Sequence, residues 1–196
     1  LDPSKRSQIG AHYTSRADIL LIVEPVIMAP LRCEWQMTQD AVGKQIERRS
    51  KAKTNRTKDK ANEAIHRTLW AFMERIGTLR ILDPACGSGN FLYVAYRQMK
   101  RLEARIIERI SELSTRPDSG QFEIGFVSAE QFFGIDINPF AIELAKVTMT
   151  VARKLAIDEL HLTWPGAGQT GWADHAPYWK IARTAFPKRP RSGSRT

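Results

Sequence analysis

Residues 79–91 read Leu-Arg-Ile-Leu-Asp-Pro-Ala-Cys-Gly-Ser-Gly-Asn-Phe. A short apolar run, Ile81-Leu82, ends in Asp83. A tight turn with Pro84, Gly87 and Gly89 follows, and a helical pattern opens at Asn90 or Phe91. A strand that feeds a glycine turn into a helix is how doubly wound α/β proteins build a ligand site. Gly87 and Gly89 let the backbone pass close under a ligand and adopt positive φ. The helix start offers free N–H groups to an electron-rich partner. A G-x-G turn alone fits an ordinary βα corner equally well. No Lys follows the glycines, so this is not a Walker loop. Asp83 would repel a pyrophosphate and suits a ligand with a cationic amino group.

Further elements follow on both sides. A second strand is expected over Gln131–Asp136, with Asn138 capping a helix and Pro139 in its first position. That helix is expected to bury Leu144, Thr148, Val151 and Leu155. Between the strands a long helix spans about Phe91–Leu113. Its apolar face is Phe91, Ala95, Met99, Leu102, Ile106 and Ile110. Upstream, Ala61–Ile76 carries Ile65, Leu69, Phe72 and Ile76 at helical spacing, with Gly77 as the stop. Ser15 to Asp18 reads as a capping box opening a helix that runs through Leu20, Ile22 and Val23 and continues past Pro25, a residue that can sit near a kink or break. Residues 32–60 are helix-prone but increasingly basic, and Ser50–Lys60 reads as a loop or frayed helix. Arg116–Gly120 is a loop, and Phe122–Val127 a short strand or hairpin. The fold class is α/β, a parallel βαβ core preceded by an N-terminal helical region.

The 196 residues are 42% apolar and 26% charged, the composition of a globular protein. The most apolar run, Ile19–Leu31, is broken by Glu24, Pro25 and Pro30 and is too short to span a bilayer. With no signal peptide pattern, a cytoplasmic protein without a membrane partner is expected. Cys33 and Cys86 make no disulfide framework. A nucleophilic Cys86 would need a lowered pKa that nothing nearby in the sequence supplies. The four histidines have no metal-ligand spacing, and no metal is expected.

Net charge is +9, and the excess is localised. Residues 44–60 hold eight Lys/Arg and two acids, and residues 180–195 hold six Lys/Arg and no acid. Such clusters suit phosphate backbones. A solvated surface is the plainer meaning of a charge run. Both readings stand for residues 44–60, and disorder is the favoured one for the tail.

The string Asp83-Pro84-Ala85-Cys86-Gly87-Ser88-Gly89-Asn90-Phe91 resembles the cofactor motif of DNA adenine-N6 methyltransferases. Gly10-Ala11-His12-Tyr13-Thr14-Ser15 and Phe133-Gly134-Ile135-Asp136-Ile137-Asn138-Pro139 resemble two further segments of that family, in the right order. The likeness is greatest to the large class I enzymes of restriction–modification systems, some fused to a nuclease, and it covers roughly residues 1–160. It implies an incomplete Rossmann-like methyltransferase fold. Residues 1–60 would form a helical region with a cofactor-closing segment, 61–160 a partial S-adenosyl-L-methionine domain, and 161–196 an irregular basic tail. It also implies double-stranded DNA as partner, with a fused or partner restriction nuclease in the parent protein.

By the same resemblance, Asp136 would take the cofactor ribose hydroxyls and Ile137 would pack on the adenine. Asp83 would lie near the amino group. The backbone of Pro84, Ala85, Cys86, Gly87 and Gly89 would line the methionine end, with Asn90 at the helix start. Tyr13 and Thr14 would close over that end, and Phe91 would pack under the site or into the core. Plainer roles exist for several of these. Asp136 would serve as a helix-leading acid, Asp83 as a strand-end turn former, and Thr14 as part of a helix cap. The interval from the glycines to Asp136 exceeds the about 20 residues of dinucleotide folds, because a long helix and a loop intervene.

Methylation of adenine N6 needs acceptors for the amino hydrogens and an aromatic surface for the extruded base. The family supplies them with Asn/Asp/Ser-Pro-Pro-aromatic. No Pro-Pro occurs in this sequence. Asn138-Pro139-Phe140 belongs to a helix start, and Ala176-Pro177-Tyr178 lacks the acceptor, so no catalytic residue is assigned. The sequence opens at Leu1 rather than Met, and it offers fewer strands than a complete methyltransferase sheet. It therefore reads as a truncated cofactor-binding portion, with a tail that a frameshift or truncation would produce. Two alternatives stay open: a methyltransferase for another substrate, and a non-catalytic DNA-associated fragment.

Overall fold

A computed structural model describes residues 14–113 and 126–160. Tyr13, the 116–120 loop, most of the expected 122–127 strand and the tail from 161 lie outside the described residues. Phe126 and Val127, which are described, are not in a strand. The described chain is mostly helical, with one two-stranded parallel sheet.

Helix α1 (Arg16–Val23) begins at Ser15, whose Oγ accepts the Asp18 amide at 3.2 Å. The Asp18 carboxylate in turn accepts the Ser15 hydroxyl at 2.7 Å. Pro25 does not break the path. A π-helical turn over Glu24–Met28 lets the Ala29 amide reach the Glu24 carbonyl, and the chain runs on into α2 (Ala29–Lys51). A wider turn is how a helix absorbs a residue without an N–H.

Helix α3 (Asn55–Thr78) starts earlier than its apolar stripe suggests. Residues 55–60, expected to be loop or frayed, are helical because Thr54 caps them, its Oγ1 accepting the Thr57 amide at 3.3 Å. Ile65, Leu69, Phe72 and Ile76 are all buried, and Trp35 of α2 stacks on Phe72 with ring centroids 5.4 Å apart. Gly77 is not a left-handed stop, since α3 runs to Thr78 and the glycine φ is not positive. Its role is space: a Cβ there would meet Phe126 at 3.2 Å.

Strands β1 (Ile81–Asp83) and β2 (Phe132–Gly134) are shorter than expected and pair in parallel, Ile81 with Phe132 and Asp83 with Gly134. Gln131, expected in the strand, lies in a short 3-10 turn and ties the sheet to α3. Its Nε2 donates to the carbonyls of Ile76 (2.8 Å) and Leu79 (3.1 Å), and its Oε1 accepts the Ser128 amide at 2.7 Å.

Between the strands runs α4 (Asn90–Leu113), with Ala95, Met99, Leu102, Ile106 and Ile110 buried and Phe91 half-buried, close to the expected face. Tyr96 meets Phe132 of β2 edge to face at 5.4 Å. Glu103 is fully buried; it accepts Lys100 Nζ at 2.7 Å and the Val127 amide at 2.8 Å.

Helix α5 (Pro139–Leu160) opens as expected, with the Phe140 amide on Asn138 Oδ1 at 3.0 Å. Its buried face is a different one. Ala141, Ile142, Ala145, Met149, Ala152 and Ala156 point inward, whereas Leu144 and Val151 are exposed and Thr148 and Leu155 half-buried. Four of the six inward residues are alanines, which lets α5 pack closely against α4.

Candidate functional site at the strand ends

Parallel strands carry their connecting helices away from the carboxyl ends, which leaves a crevice there. Asp83 and Asp136 lie at those ends. The sheet ladder continues past the strands into the loops: Ile135 donates to the Asp83 carbonyl at 2.9 Å and accepts the Cys86 amide at 2.9 Å. These bonds place the turn after β1 directly beside the segment after β2.

Within the turn, Gly87 and Gly89 have φ of +50° and +81°, as the sequence implied. The two glycines differ in surroundings. A Cβ on Gly87 would touch nothing within 4 Å, so the backbone there faces open space. A Cβ on Gly89 would come within 3.1 Å of the Ala145 backbone, so Gly89 lets the start of α4 lie against α5. The Gly89 amide closes the turn on the Cys86 carbonyl at 2.7 Å.

Asp136 joins the two loops. Its Oδ2 accepts the Gly87 amide at 2.9 Å, and its Oδ1 accepts the Asn138 amide at 2.8 Å. Each oxygen keeps a further lone pair. The carboxylate thus braces the glycine turn and orders the start of α5 at once. Asp83 accepts the Ala85 amide on Oδ1 at 3.1 Å, and its Oδ2 has no partner among the described residues. Burial raises the Asp83 pKa, the Ala85 amide opposes that, and the Asp136 charge raises it further. The two carboxylates thus sit at neighbouring strand ends with three backbone amides between them as donors.

Cys86 is buried, and burial with the charges of Asp83 and Asp136 pushes its thiol up to about 11. It is a packing residue. The sequence does not reveal what it packs on, which is Gly134: a Cβ there would lie 2.8 Å from Cys86 Sγ. Ile137 is 82% exposed beside Asp136, an apolar side chain held at the rim of the crevice. Pro84 and Ala85 are exposed, and Asn90 and Phe91 are half-buried at the start of α4. Thr14 is half-buried just before α1, and Tyr13 lies outside the described residues. Among the described residues no three His, Cys, Asp or Glu side chains group as a metal site, and no helix is long and apolar enough to cross a membrane.

This arrangement can be compared with known proteins. Residues 52–162 match the family model of the MmeI DNA-methyltransferase domain. The chain belongs to this family. It is similar to DNA methyltransferase A of Bacillus subtilis (strain 168), 31% identical over 156 residues that make up 79% of this chain and 14% of that protein. It is also 31% identical over 78 residues to the adenine-specific methyltransferase PglX of Streptomyces coelicolor, 40% of this chain and 6% of that one. A solved structure of the Type IIL restriction–modification enzyme MmeI in complex with DNA matches 84% of this chain and 19% of its own, with 27% identity and a TM-score of 0.55. The chain thus spans under a fifth of each of these relatives. The MmeI-family match takes in β1 and β2, the glycine turn, Asp83 and Asp136, which bears out the resemblance to restriction–modification DNA methyltransferases.

Proposed function

We propose that this chain is the cofactor-holding portion of a DNA methyltransferase that transfers a methyl group from S-adenosyl-L-methionine to adenine N6 in double-stranded DNA. The reading rests on one observation: the Asp136–Gly87 bond at 2.9 Å, which locks two acid-bearing loops into one crevice at the strand ends. The adenine-specific name of the PglX relative supports the choice of base. The fold is then the opening of a Rossmann-like methyltransferase domain. In this reading residues 14–60 are its helical approach, and 61–113 with 126–160 belong to its partial cofactor domain. The setting is cytoplasmic, and a nuclease belongs to the parent protein or its partner.

The crevice suits that cofactor chemically. The space over Gly87 admits a ligand where a side chain would block it. The Asp83 Oδ2 that lacks a partner accepts the cationic amino group, and the remaining lone pairs of Asp136 accept the two ribose hydroxyls. Ile137 lies against the adenine plane, and Thr14 closes over the methionine end; Tyr13, given the same role by the resemblance, lies outside the described residues. The backbone of Pro84, Ala85, Cys86, Gly87 and Gly89 and the start of α4 at Asn90 line that end, with Phe91 packed beneath. When bound, S-adenosyl-L-methionine supplies an electrophilic methyl group. This chain's residues contribute position and orientation, the larger share of what such a transfer requires. The family's Asn/Asp/Ser-Pro-Pro-aromatic acceptors for the adenine amino hydrogens have no counterpart in these 196 residues.

Titration calorimetry tests the reading. The chain binds S-adenosyl-L-methionine, and Asp136→Asn weakens it by about tenfold to a hundredfold, the worth of hydrogen bonds to a charged acceptor. The amide oxygen keeps a partner for Gly87, and circular dichroism checks the fold. No binding by a folded wild-type chain would favour the non-enzymatic alternative.

A further inference from the structure

We infer that the end of the α2–α3 hairpin, centred on Lys53, Arg56 and Lys58, is a sequence-independent contact site for the phosphate backbone of double-stranded DNA. The inference rests on the DNA partner of the preceding reading and adds a place and a mode of contact.

Three observations carry it. First, the unpaired cations are concentrated at this end, although Arg16, Arg67, Arg80 and Arg105 elsewhere also lack an ion pair among the described residues. On α4 and α5 most basic side chains are neutralised: Arg97 and Arg101 by Glu159, Lys100 by Glu103, Arg109 by Glu112, Lys146 by Glu143 and Lys154 by Asp158. At the hairpin end the opposite holds. Lys51 pairs with Glu47 and Arg49 bonds Asn62, but Lys44, Arg48, Lys53, Arg56, Lys58 and Lys60 have no ion pair among the described residues.

Second, this end folds without burying anything. Residues 53–60 are all exposed, beyond the Trp35–Phe72 contact and the Val42 and Ile65 layer that hold the two helices together. Lys44 with Arg48, and Arg56 with Lys60, are like charges four apart on one helix, a spacing that destabilises. Asp59 lies between them in sequence and forms no ion pair among the described residues. A polyanion turns that repulsion into attraction.

Third, the α3 start adds the positive end of its dipole to the same surface, capped by Thr54 and ordered rather than frayed. Helix α3 separates this end from β1 by about 35 Å at the usual rise of about 1.5 Å per residue. That is about one turn of duplex. The hairpin end therefore grips backbone well away from any base held at the strand-end crevice, where point charges on flexible stems position DNA without reading it.

The test is fluorescence anisotropy with the full chain and a labelled duplex of arbitrary sequence, over a range of salt. Lys53→Gln, Arg56→Gln and Lys58→Gln together are compared with Arg32→Gln, Arg105→Gln and Arg109→Gln, which remove the same charge elsewhere. The six basic residues of the tail contribute alike to both variants. The hairpin triple variant should lower the slope of log affinity against log salt by about 2 to 3, near 0.9 per lost phosphate contact. Affinity at moderate salt should fall by about tenfold or more, and the control triple should change little. Lys53→Arg with Arg56→Lys and Lys58→Arg should bind as wild type. Thermal melting checks that each variant is folded. Equal losses in the two Gln triples, or no loss in either while the wild type binds, would overturn the hairpin site and leave the DNA partner standing. Failure of the wild-type chain to bind duplex even at low salt would overturn both, while cofactor binding stays a separate readout.

Discussion

Asp83 shows how a single residue carries opposing demands. Its backbone carries the sheet into the loops, through the bond from Ile135 at 2.9 Å, and its Oδ1 shapes the turn. Yet the carboxylate is partly buried beside Asp136, and both effects raise its pKa. A raised folded pKa means that stability is fullest below the ordinary aspartate range and is lost as pH rises through the folded value. Asp83→Asn keeps the Ala85 hydrogen bond and removes the charge. It should therefore stabilise the ligand-free protein at neutral pH, by under about 1 kcal/mol, while weakening S-adenosyl-L-methionine by about tenfold or more. Unfolding midpoints of the two proteins should converge in acid and separate toward neutrality. A neutral-pH midpoint for Asp83→Asn below that of wild type would refute the assignment. The turn itself was legible from residues 83–91 because its glycines, acid and helix start are contiguous. Gly134 was not, because the Cys86 side chain that excludes a Cβ there comes from a distant part of the sequence. Packing glycines of this kind leave no local signature.

At the level of elements, α4 was legible beyond its first turns, where Met99, Leu102, Ile106 and Ile110 repeat at helical spacing, whereas Leu92, Val94 and Tyr96 are buried off the expected face. What the pattern concealed was Glu103, a buried acid on that same face. It fixes Lys100 and the Val127 amide, and Gln131 fixes Ser128, Ile76 and Leu79, so two polar side chains set where the chain enters β2. Register matters here because a slip of β2 against β1 would carry Asp136 away from Gly87. Glu103→Ala strands a buried ammonium and a buried amide at once, and should cost about 3–5 kcal/mol in urea unfolding. Glu103→Gln retains an acceptor for Val127 and should cost less. If the two variants were equally mild, the pair would not be buried as described. The start of α3 was misread for an instructive reason. Its first residues carry no apolar signal, and periodicity sees helices only where they are buried; Thr54 was the cue, a side chain that caps a helix whatever follows it.

Over the whole molecule, the apolar core lies on one side of a very small sheet. The inner faces of the five helices among the described residues converge there, while Leu82 of β1 is 57% exposed. Helix α5 sits at that boundary and is apolar on both sides. Phe140, Leu144, Val147 and Val151 run along its outer face, exposed by 62%, 41%, 59% and 47%. Such a helix has no unique buried face in its sequence, since period alone cannot choose between two apolar stripes. Branched, bulky residues made the outer stripe look like the core. The contact geometry chooses the other, because Gly89 at the start of α4 lies so close to Ala145 that a Cβ there would come within 3.1 Å of its backbone, an approach that a small residue at 145 permits. The side of α5 that turns inward is thus the one that meets the glycine turn, at Gly89 against Ala145. Truncation on the two faces measures this directly. Met149, 1% exposed on the inner face, should cost about 2–5 kcal/mol as Met149→Ala. Leu144→Ala, on the outer face, should cost under about 1 kcal/mol, because much of its side chain is already in water. The reverse order in chemical denaturation would place α5 the other way round, and would separate Gly89 from Ala145.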